Sequence, residues 1–559
     1  MSRRELWIDF DVRVPMRDGV ELSANIFRPQ SARAGERFPA ILIRTPYDKH
    51  DSRNLEQARA FTPFDYVVVV MDVRGRGDSD GEFVPYRNEG RDGYDSIEWC
   101  AAQPWCSGAV GTLGGSYLGR IQWFAALEQP PHLKTMIVLV PPSDPFVESP
   151  TGVTDPMSIC WHHIVSGRTT KDVDFIDWMP IYEHLPLLTM DERSGRAVPH
   201  WRANLAHTQL DEYWRALCYQ DKFDQIDLPV MHISGWYDDE EIGTPLNFAG
   251  MTRQAPTEFA RRNQKLIMGP GGHRVNQHTR LGEVDFGPQA LIDLQRAQRR
   301  WFDRWLKDEP NGIEDEPPVE IFVMGTNAWR AEQEWPLARA KQTNWYLHSQ
   351  GRANSRFGDG RLALVAPQDE PADIYCYNPA RPTPFITEPT SAQIGGPDDY
   401  AAVWRRDDIL VYLSEPLEQD LEVTGPVRLE LYAASSALDT DFMALLVDVH
   451  PNGFMQRLCD GMVRARFRRG MDQPELLTPG QIERFEIALW DTSQVFMRGH
   501  RLGLGISSSA FPKYARNLNT GGDLATETEM IVAEQRVYHA AAYPSRLILP
   551  VIPPRGRKP

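Results

Sequence analysis

The chain has 559 residues, a formal net charge of −17 and six cysteines. This length is too great for one hydrophobic core, so two to four domains are expected, and the negative charge argues against nucleic acid as a partner. The sequence has neither an apolar run long enough to span a membrane nor an apolar segment typical of a signal peptide. Because the cysteines also lack C-x-x-C spacing, most are expected to be reduced, and we predict a cytoplasmic protein.

The N-terminal part alternates strand-like and helix-like segments. Residues 8–29 alternate apolar and polar side chains around an Asp-Gly pair, which indicates a hairpin. Residues 89–102 are typical of a helix. Apolar runs that indicate buried strands cover residues 38–44, 66–71 and 135–140. Strands that alternate with helices predict an α/β fold with a parallel sheet.

A glycine pair precedes Ser116, and an amphipathic stretch follows it. A strand, a sharp turn and a helix in this order form a nucleophile elbow, in which the new helix directs free N–H groups toward the serine. The strict pattern is G-x-S-x-G, and here the second glycine, Gly119, comes one residue late. The alternative is a glycine-rich turn whose serine has no chemical role.

Residues 144–225 contain tryptophans, histidines and prolines between short helical pieces, with no strand-like run. We predict that this insertion is a helical cap over the carboxyl edge of the sheet. The sheet resumes at 229–235 and 265–269, and a helix is predicted at 289–306.

A Pro- and acid-rich linker is predicted at 308–318, and short alternating strands, beginning with residues 319–324, follow it. These strands indicate an antiparallel sandwich, which we expect to be a jelly roll. The predicted organisation is an α/β-hydrolase core, a helical cap and a jelly-roll β-sandwich. The expected limits are 1–143 and 226–310 for the core, 144–225 for the cap and 317–559 for the jelly roll.

The loops after the two later core strands supply the partners that a serine nucleophile needs. Asp238 and His273 each lie three or four residues beyond the end of a predicted strand. The order Ser, acid, His is that of α/β-hydrolases, so we predict that Asp238 orients His273 and that His273 deprotonates Ser116. Each residue alone could be an ordinary loop carboxylate or histidine, but three candidates at three strand ends favour a triad.

An oxyanion hole needs two hydrogen-bond donors. One is predicted to be the backbone N–H of Tyr117, and the hydroxyl of Tyr47 could be the other, although a tyrosine there is by itself more typical of packing. In the insertion, Trp161 precedes His162 and His163. Because no third ligand accompanies this histidine pair, we predict packing or pocket lining and no metal site.

The chain resembles the CocE/NonD family of serine hydrolases, which groups cocaine esterase with α-amino acid ester hydrolases and Xaa-Pro dipeptidyl-peptidases. The resemblance lies in residues 44–49 (RTPYDK), 72–81 (DVRGRGDSDG), 114–119 (GGSYLG), 235–238 (GWYD) and 269–273 (GPGGH), and continues in 319–325 and 439–442. The family places its elbow glycine at the late position. The resemblance implies a hydrolase core, a helical cap and a C-terminal jelly roll. It also implies the triad Ser116, Asp238 and His273, with the Tyr47 hydroxyl and the Tyr117 N–H as oxyanion hole.

Asp239, Glu240 and Glu241 follow the acid, where family members often carry apolar residues. α-Amino acid ester hydrolases resemble this chain in placing carboxylates there to bind an ammonium group. We therefore hypothesise that Glu240 and Glu241 bind a cationic or polar acyl group, with a solvated rim as the equal alternative. Trp161 and Trp236 are further candidates for substrate binding.

These observations predict a serine hydrolase that cleaves small acyl esters or amides through an acyl-enzyme on Ser116, without metal or organic cofactor. An Xaa-Pro dipeptidyl-peptidase-type exopeptidase is the first alternative. A catalytically silent protein whose jelly roll binds carbohydrate is the second. The expected partner is a small-molecule ester or amide, with neither nucleic acid nor membrane, and the sequence leaves a homo-oligomer open.

Overall fold

The computed structural model describes residues 6–30, 35–388 and 393–553. A ten-stranded sheet organises the first part of the chain, and a twelve-stranded sheet organises the second. The strands of the first part are β1 (Leu6–Pro15), β2 (Glu21–Pro29), β3 (Phe38–Thr45), β4 (Val67–Asp72), β5 (Cys106–Gly115), β6 (Leu133–Leu139), β7 (Val230–Gly235), β8 (Gln264–Gly269), β9 (Arg280–Leu281), β10 (Val284–Asp285), β11 (Val319–Val323) and β12 (Ala328–Glu332).

The helices belong to the first part of the described chain. They are α1 (Ser52–Phe61), α2 (Glu89–Ala102), α3 (Tyr117–Leu127), α4 (Ser158–Ile164), α5 (Met179–Tyr182), α6 (Met190–Arg193), α7 (Pro199–Leu205), α8 (Glu212–Arg215), α9 (Gly243–Gln254), α10 (Glu258–Arg262) and α11 (Leu294–Lys307). Among the described residues, none of these helices combines the length and the apolar character that crossing a bilayer requires.

The first sheet has the strand order β1-β2-β4-β3-β5-β6-β7-β8-β11-β12. Its central strands run parallel, whereas β1, β2 and β12 run antiparallel to their neighbours. The predicted hairpin is confirmed, because the backbone N–H of Met16 donates to the carbonyl of Val20 at its turn. The predicted α/β architecture with a parallel sheet is confirmed as well.

Helices cover both faces of this sheet because its central strands are apolar on both sides. In β4, Val67 and Val69 pack in the cluster that contains α2 and α3, whereas Val68 and Val70 pack in the cluster that contains α1 and α11. This alternation is the two-residue period of a strand. The strand order places β5, which leads into Ser116, near the centre of this sheet.

The helix predicted at 289–306 begins later than expected. The Asp293 side chain accepts the N–H of Arg296 and caps α11, while residues 288–290 form a separate 3₁₀ turn. Leu291, expected on the apolar stripe, therefore lies outside the helix and is exposed, whereas Trp301 and Phe302 are buried. The Asp293 cap therefore marks the start of this helix, which the apolar pattern alone placed too early.

The insertion at 144–225, between β6 and β7, contains the short helices α4 to α8 and no strand within its described residues. It has an apolar cluster of its own, which includes Trp178 and Trp201. Phe511 and Ala515, from the C-terminal part, pack into the same cluster. The insertion is therefore held between the two large parts of the chain.

The second part, which we call the β-domain (residues 341–552), is all-β within its described residues apart from short 3₁₀ turns. Its strands are β13 (Lys341–His348), β14 (Arg361–Ala363), β15 (Asp373–Tyr377), β16 (Leu410–Leu413), β17 (Leu421–Ser435), β18 (Asp441–Val449), β19 (Met455–Arg464), β20 (Glu483–Phe496), β21 (Arg501–Ser507), β22 (Ala533–Ala540), β23 (Tyr543–Pro544) and β24 (Arg546–Ile552).

Two expectations about the start of this domain are corrected. Residues 319–324 were expected to open the C-terminal sandwich, but β11 pairs in parallel with β8 and so extends the first sheet. Alternation predicts a strand without identifying the strand beside it. The predicted linker therefore does not separate the two sheets, since it lies between α11 and β11, where Glu314 and Glu316 form ion pairs with Arg304 and Arg300 of α11.

Candidate active site

Ser116 occupies a sharp turn between β5 and α3. Its backbone has φ 57° and ψ −127°, a conformation that costs a non-glycine residue energy and is found mainly at functional sites. Its N–H is held by the carbonyl oxygens of Leu139 and Val140 over 3.0 and 3.1 Å. The strained turn of a nucleophile elbow is therefore present at the predicted position.

The late glycine of the elbow has a steric explanation. A Cβ atom on Gly119 would lie 2.7 Å from the backbone oxygen of Leu139, and one on Gly114 would lie 2.4 Å from the Cβ of Leu118. Both glycines allow α3 to pack close to the parallel strands. Gly119 is thus required for the contact between helix and sheet, one turn beyond the serine.

Asp238 and His273 lie on neighbouring loops at the carboxyl ends of β7 and β8. The Nδ1 atom of His273 is 2.8 Å from Oδ1 of Asp238, whose carboxylate is fully buried. The hydroxyl of Ser234 donates to the other oxygen, Oδ2, over 2.8 Å. With Nδ1 facing the acid, Nε2 is the ring nitrogen left to face a substrate or nucleophile.

Gln393, a residue that the sequence did not reveal, joins the two loops. Its amide nitrogen donates to the carbonyl of Tyr237 over 2.8 Å, and its amide oxygen accepts the backbone N–H of His273 over 3.1 Å. A Cβ atom on Gly272 would overlap this amide, so the glycine is needed for its approach. The side chain reaches the site from a segment 120 residues after the histidine, beyond the reach of local patterns.

Tyr47 and Trp161 meet beside Ser116 in one cavity. The indole Nε1–H of Trp161 donates to the Tyr47 hydroxyl oxygen over 2.8 Å. Burial raises the pKa of Tyr47 to about 12, so this hydroxyl keeps its own proton for donation. Tyr117 is the first residue of α3, and its backbone N–H therefore precedes the hydrogen-bond ladder of the helix.

The acidic run after Asp238 divides between two environments. Asp239 and Glu240 line the cavity, with carboxyl oxygens 3.7 and 4.0 Å from Nδ1 of His273. Burial raises the pKa of Asp239 to about 6 and that of Glu240 well above its usual range. Burial alone would lower the pKa of His273, but Asp238 and these neighbours raise it.

Two predicted substrate-binding residues do not line the cavity. Trp236 is buried against Trp335, and its indole donates to the carbonyl of Phe322 over 2.7 Å. Glu241 is buried beside Asp491 of β20, whose backbone N–H donates to its Oε2 over 3.4 Å. Trp236 is thus directed toward β11 and Glu241 toward the β-domain. Asp239, which was not predicted, lines the cavity instead.

The cavity has a volume of about 1210 Å³ and is lined by three parts of the chain. The sheet contributes Ser116 and His273, and the insertion contributes Trp161 and His162. His163 does not face it and pairs with the Ser194 hydroxyl. The lining residues that the sequence did not indicate include Glu148, Asp155, Trp490, Lys513 and Tyr514.

Glu148 and Asp155 add two carboxyl groups to this lining. Burial raises the pKa of each to about 7. Lys513, from the β-domain, is held by Asp460, with its Nζ 2.6 Å from Oδ2. Glu148 and Asp155, together with Asp239 and Glu240, thus give the cavity an acidic wall that also contains Lys513, and no short sequence motif marks it.

Comparison with known proteins agrees with this architecture. A family model described as X-Pro dipeptidyl-peptidase (S15 family) matches residues 18–275. A second model, described as the X-Pro dipeptidyl-peptidase C-terminal non-catalytic domain, matches residues 311–548. Cocaine esterase from Rhodococcus sp. (strain MB1 Bresler) is 35% identical over 574 residues, covering 97% of this chain and 98% of the relative.

Two solved structures are similar over nearly their whole length. An α-amino acid ester hydrolase matches with a TM-score of 0.85 and 25% identity, covering 98% of this chain and 97% of that one. A CocE/NonD family hydrolase from Staphylococcus aureus shares the fold, with a TM-score of 0.72, 20% identity and coverage of 98% and 94%. Because a relative with 35% identity spans both matched parts, the chain belongs to the CocE/NonD family of serine hydrolases.

Proposed function

We propose that this serine hydrolase cleaves small acyl esters or amides through an acyl-enzyme on Ser116, with a preference for α-amino or other polar acyl groups. The observation that carries the proposal is the 2.8 Å pair between His273 and Asp238 beside a strained serine in one cavity. Similarity to a cocaine esterase and to an α-amino acid ester hydrolase supports an ester substrate.

The residues take the following roles. His273 Nε2 accepts the proton of Ser116 as the hydroxyl oxygen attacks the substrate carbonyl, and Asp238 stabilises the imidazolium. The oxyanion accepts hydrogen bonds from the Tyr47 hydroxyl and the Tyr117 N–H. His273 then protonates the leaving group, whose bond to the acyl carbon breaks. A water molecule deprotonated by His273 finally hydrolyses the acyl-enzyme and releases the acid.

A cationic acyl group would match the acidic wall. Asp239 Oδ1 and Glu240 Oε2 make no hydrogen bond to any described residue, although both are shielded from bulk water. Burial raises the pKa of these groups, and an ammonium ion beside them would offset that cost and favour their ionised forms. Glu240 is therefore a candidate ligand for an ammonium group, as the sequence suggested. Asp239 replaces Glu241 as the second candidate, because Asp239 lines the cavity and Glu241 does not.

Two assays test the function. A panel of acyl esters and amides is assayed on wild type and Ser116→Ala, with a fluorophosphonate probe as a label. We expect turnover and labelling in wild type and neither in the variant. A wild type that neither turns over nor labels would instead support the silent carbohydrate-binding alternative.

The selectivity hypothesis has a matched pair of variants. Glu240→Gln should lower the ratio of kcat/KM for an α-amino ester over its deamino analogue by about tenfold, which corresponds to about 1.4 kcal/mol. Glu241→Gln, in the same loop but away from the cavity, should leave that ratio unchanged. An unchanged ratio in both variants would refute the ammonium role.

An Xaa-Pro exopeptidase is the second candidate, because both matching family models carry that description. It also needs an ammonium site, which the acidic wall could supply. Turnover of dipeptide–proline anilides that exceeds turnover of matched esters would favour it. The oligomeric state is a separate question, and a measurement of the mass of the protein in solution tests whether it forms a homo-oligomer.

The finer architecture is part of the same proposal. We infer that residues 144–225 act as a cap, because Trp161 and His162 line the cavity. We infer a jelly roll that begins after β12, since residues from β15 and β19, at opposite ends of the second sheet, share one core. A cytoplasmic location is supported by six free cysteines.

A further inference from the structure

Three potential metal ligands meet at one end of the β-domain, away from the active-site cavity. Asp448 lies near the end of β18, His450 follows that strand, and His500 directly precedes β21. One ligand atom from each lies within 4.8 Å of the other two. The Asp448 side chain is buried, whereas those of His450 and His500 are 27% and 15% exposed and so accessible to an ion.

The distances are close to those that a bound ion requires. Nδ1 of His500 is 2.8 Å from Oδ1 of Asp448, and Nε2 of His450 is 3.9 Å from Oδ2. Bonds of about 2.0–2.1 Å in a tetrahedral zinc site separate ligand atoms by roughly 3.3 Å. A bound ion would replace the hydrogen bond between His500 and Asp448, so that these two side chains separate slightly while His450 moves closer.

The surroundings resemble the outer shell of a metal site. Gln494 donates from Nε2 to Oδ2 of Asp448 over 2.9 Å, which fixes the orientation of the carboxylate. Gln456 places its amide oxygen 3.2 Å from Nε2 of His450, where it or a water molecule could complete the coordination. Asp399 and Asp420 add negative charge near the two histidines.

A second cluster of aspartates and a histidine in the described chain is less suited to binding a metal ion, because a lysine already lies within it. Asp11, His50 and Asp78 also bring ligand atoms together, but the ammonium of Lys49 lies 3.1 Å from Asp11 and also pairs with Asp78. That cluster already contains its cation. At Asp448 no lysine or arginine forms an ion pair with the carboxylate within the described residues.

We propose that Asp448, His450 and His500 form a binding site for a divalent transition-metal ion, with Zn²⁺ as the best match. Two imidazoles and one carboxylate are the ligand types that such ions prefer. The ion would tie the end of β18 to the turn that joins β20 and β21. Its role is structural, because none of the three ligands lines the cavity that contains Ser116.

The site also lies next to the contact between the two sheets, where β20 meets the end of β11. Gln494, which donates to Asp448, forms a bridge with Met324, and the Met324 backbone exchanges hydrogen bonds with Ser493 and Val495. Gly325, which follows, has φ 84° and is packed against Val495. A metal ion that fixes Asp448 would therefore stabilise the packing of β20 against the turn between β11 and β12.

Zinc binding is measured by titration calorimetry on the full chain in a His273→Gln background, because Asp238, Asp239 and His273 also bring ligand atoms together. We expect one equivalent of Zn²⁺ to bind and to raise the Tm. His450→Gln and His500→Gln should each weaken binding by about 100-fold and abolish the rise in Tm. His132→Gln, which removes a histidine that pairs with Glu98 and belongs to none of these clusters, is the matched control and should bind normally.

A second measurement does not depend on whether the variants fold. A crystal of the unaltered chain soaked in Zn²⁺ and measured at the zinc absorption edge should show an anomalous peak between His450 Nε2 and His500 Nδ1. The proposal is overturned if this peak is missing. It is equally overturned if well-folded His450→Gln and His500→Gln proteins bind Zn²⁺ as tightly as His132→Gln.

Discussion

Trp161 of the helical insertion donates its indole N–H to the hydroxyl oxygen of Tyr47, which follows β3, over 2.8 Å. A phenol has one proton to donate, and its oxygen can accept at the same time. Because the indole occupies an acceptor position on this oxygen, the phenolic proton is left to point elsewhere, into the cavity that holds Ser116. The insertion thus takes part in orienting a candidate oxyanion donor.

Tyr47→Phe should lower kcat for an ester by roughly 10²–10³-fold, because one donor to the oxyanion is lost. The Tm should change little, since the ring remains in place. Steady-state kinetics and thermal unfolding measure the two effects. A loss of less than about threefold would exclude the hydroxyl from transition-state stabilisation.

Trp161→Phe should lower kcat by about tenfold, since the phenol of Tyr47 would lose its fixed orientation. A double-mutant cycle separates this effect from the packing of Trp161 in the cavity wall. If the indole acts through the hydroxyl, Tyr47→Phe combined with Trp161→Phe should be no slower than Tyr47→Phe alone. Fully multiplicative effects would contradict the coupling.

Asp239→Asn should move the acid limb of the kcat/KM profile to lower pH by about 1 unit. The Asp239 carboxylate lies 3.7 Å from His273 and helps to raise the pKa of the imidazole. Its removal destabilises the imidazolium, so the neutral base persists to lower pH. Asp174→Asn, at an exposed part of the cavity wall, is the control and should leave the profile in place.

Gln393→Ala should lower kcat by roughly 10–100-fold while the protein stays folded, because the amide joins the loops of Asp238 and His273. The distance between the loops, and therefore the alignment of the base, depends on this bridge. Gln277→Ala, which removes an exposed amide near His273, should be nearly silent. Equal kinetics for the two variants would show that the bridge has no positioning role.

Gly119→Ala should destabilise the protein by about 1–3 kcal/mol, because the added methyl group would lie 2.7 Å from the backbone oxygen of Leu139. Gly271→Ala is the comparison, since its Cβ would meet no atom closer than 3.9 Å. Unfolding in denaturant gives both free energies of unfolding. Similar values would mean that the late glycine of the elbow is not sterically required.

The sequence predicted those parts of the site that depend on local structure. Ser116 follows β5 directly, and Asp238 and His273 lie three and four residues beyond the ends of β7 and β8. Strands of a parallel sheet bring such loops to one edge. The direction of the other side chains in these loops was not predictable in the same way. Trp236 and Glu241 turn toward β11 and the β-domain, whereas Asp239 faces the cavity.

Contacts between distant segments were also beyond the sequence. The alternation in β11 identified a strand, yet its pairing with β8 depends on packing across the whole sheet. Gln393 reaches His273 from another part of the chain. Glu148 and Asp155 became recognisable only once the insertion placed them in the same cavity as Ser116.

Trp490, Lys513 and Tyr514 come from the β-domain and line the cavity beside the hydrolase residues. The pocket would therefore lose one of its walls if the first part of the chain were produced alone, although the elbow would remain in the sequence. An exchange of β-domains between homologues would transplant part of the substrate selectivity along with the exchanged segment. Laboratory evolution of new substrate ranges should accordingly diversify both halves of the gene together.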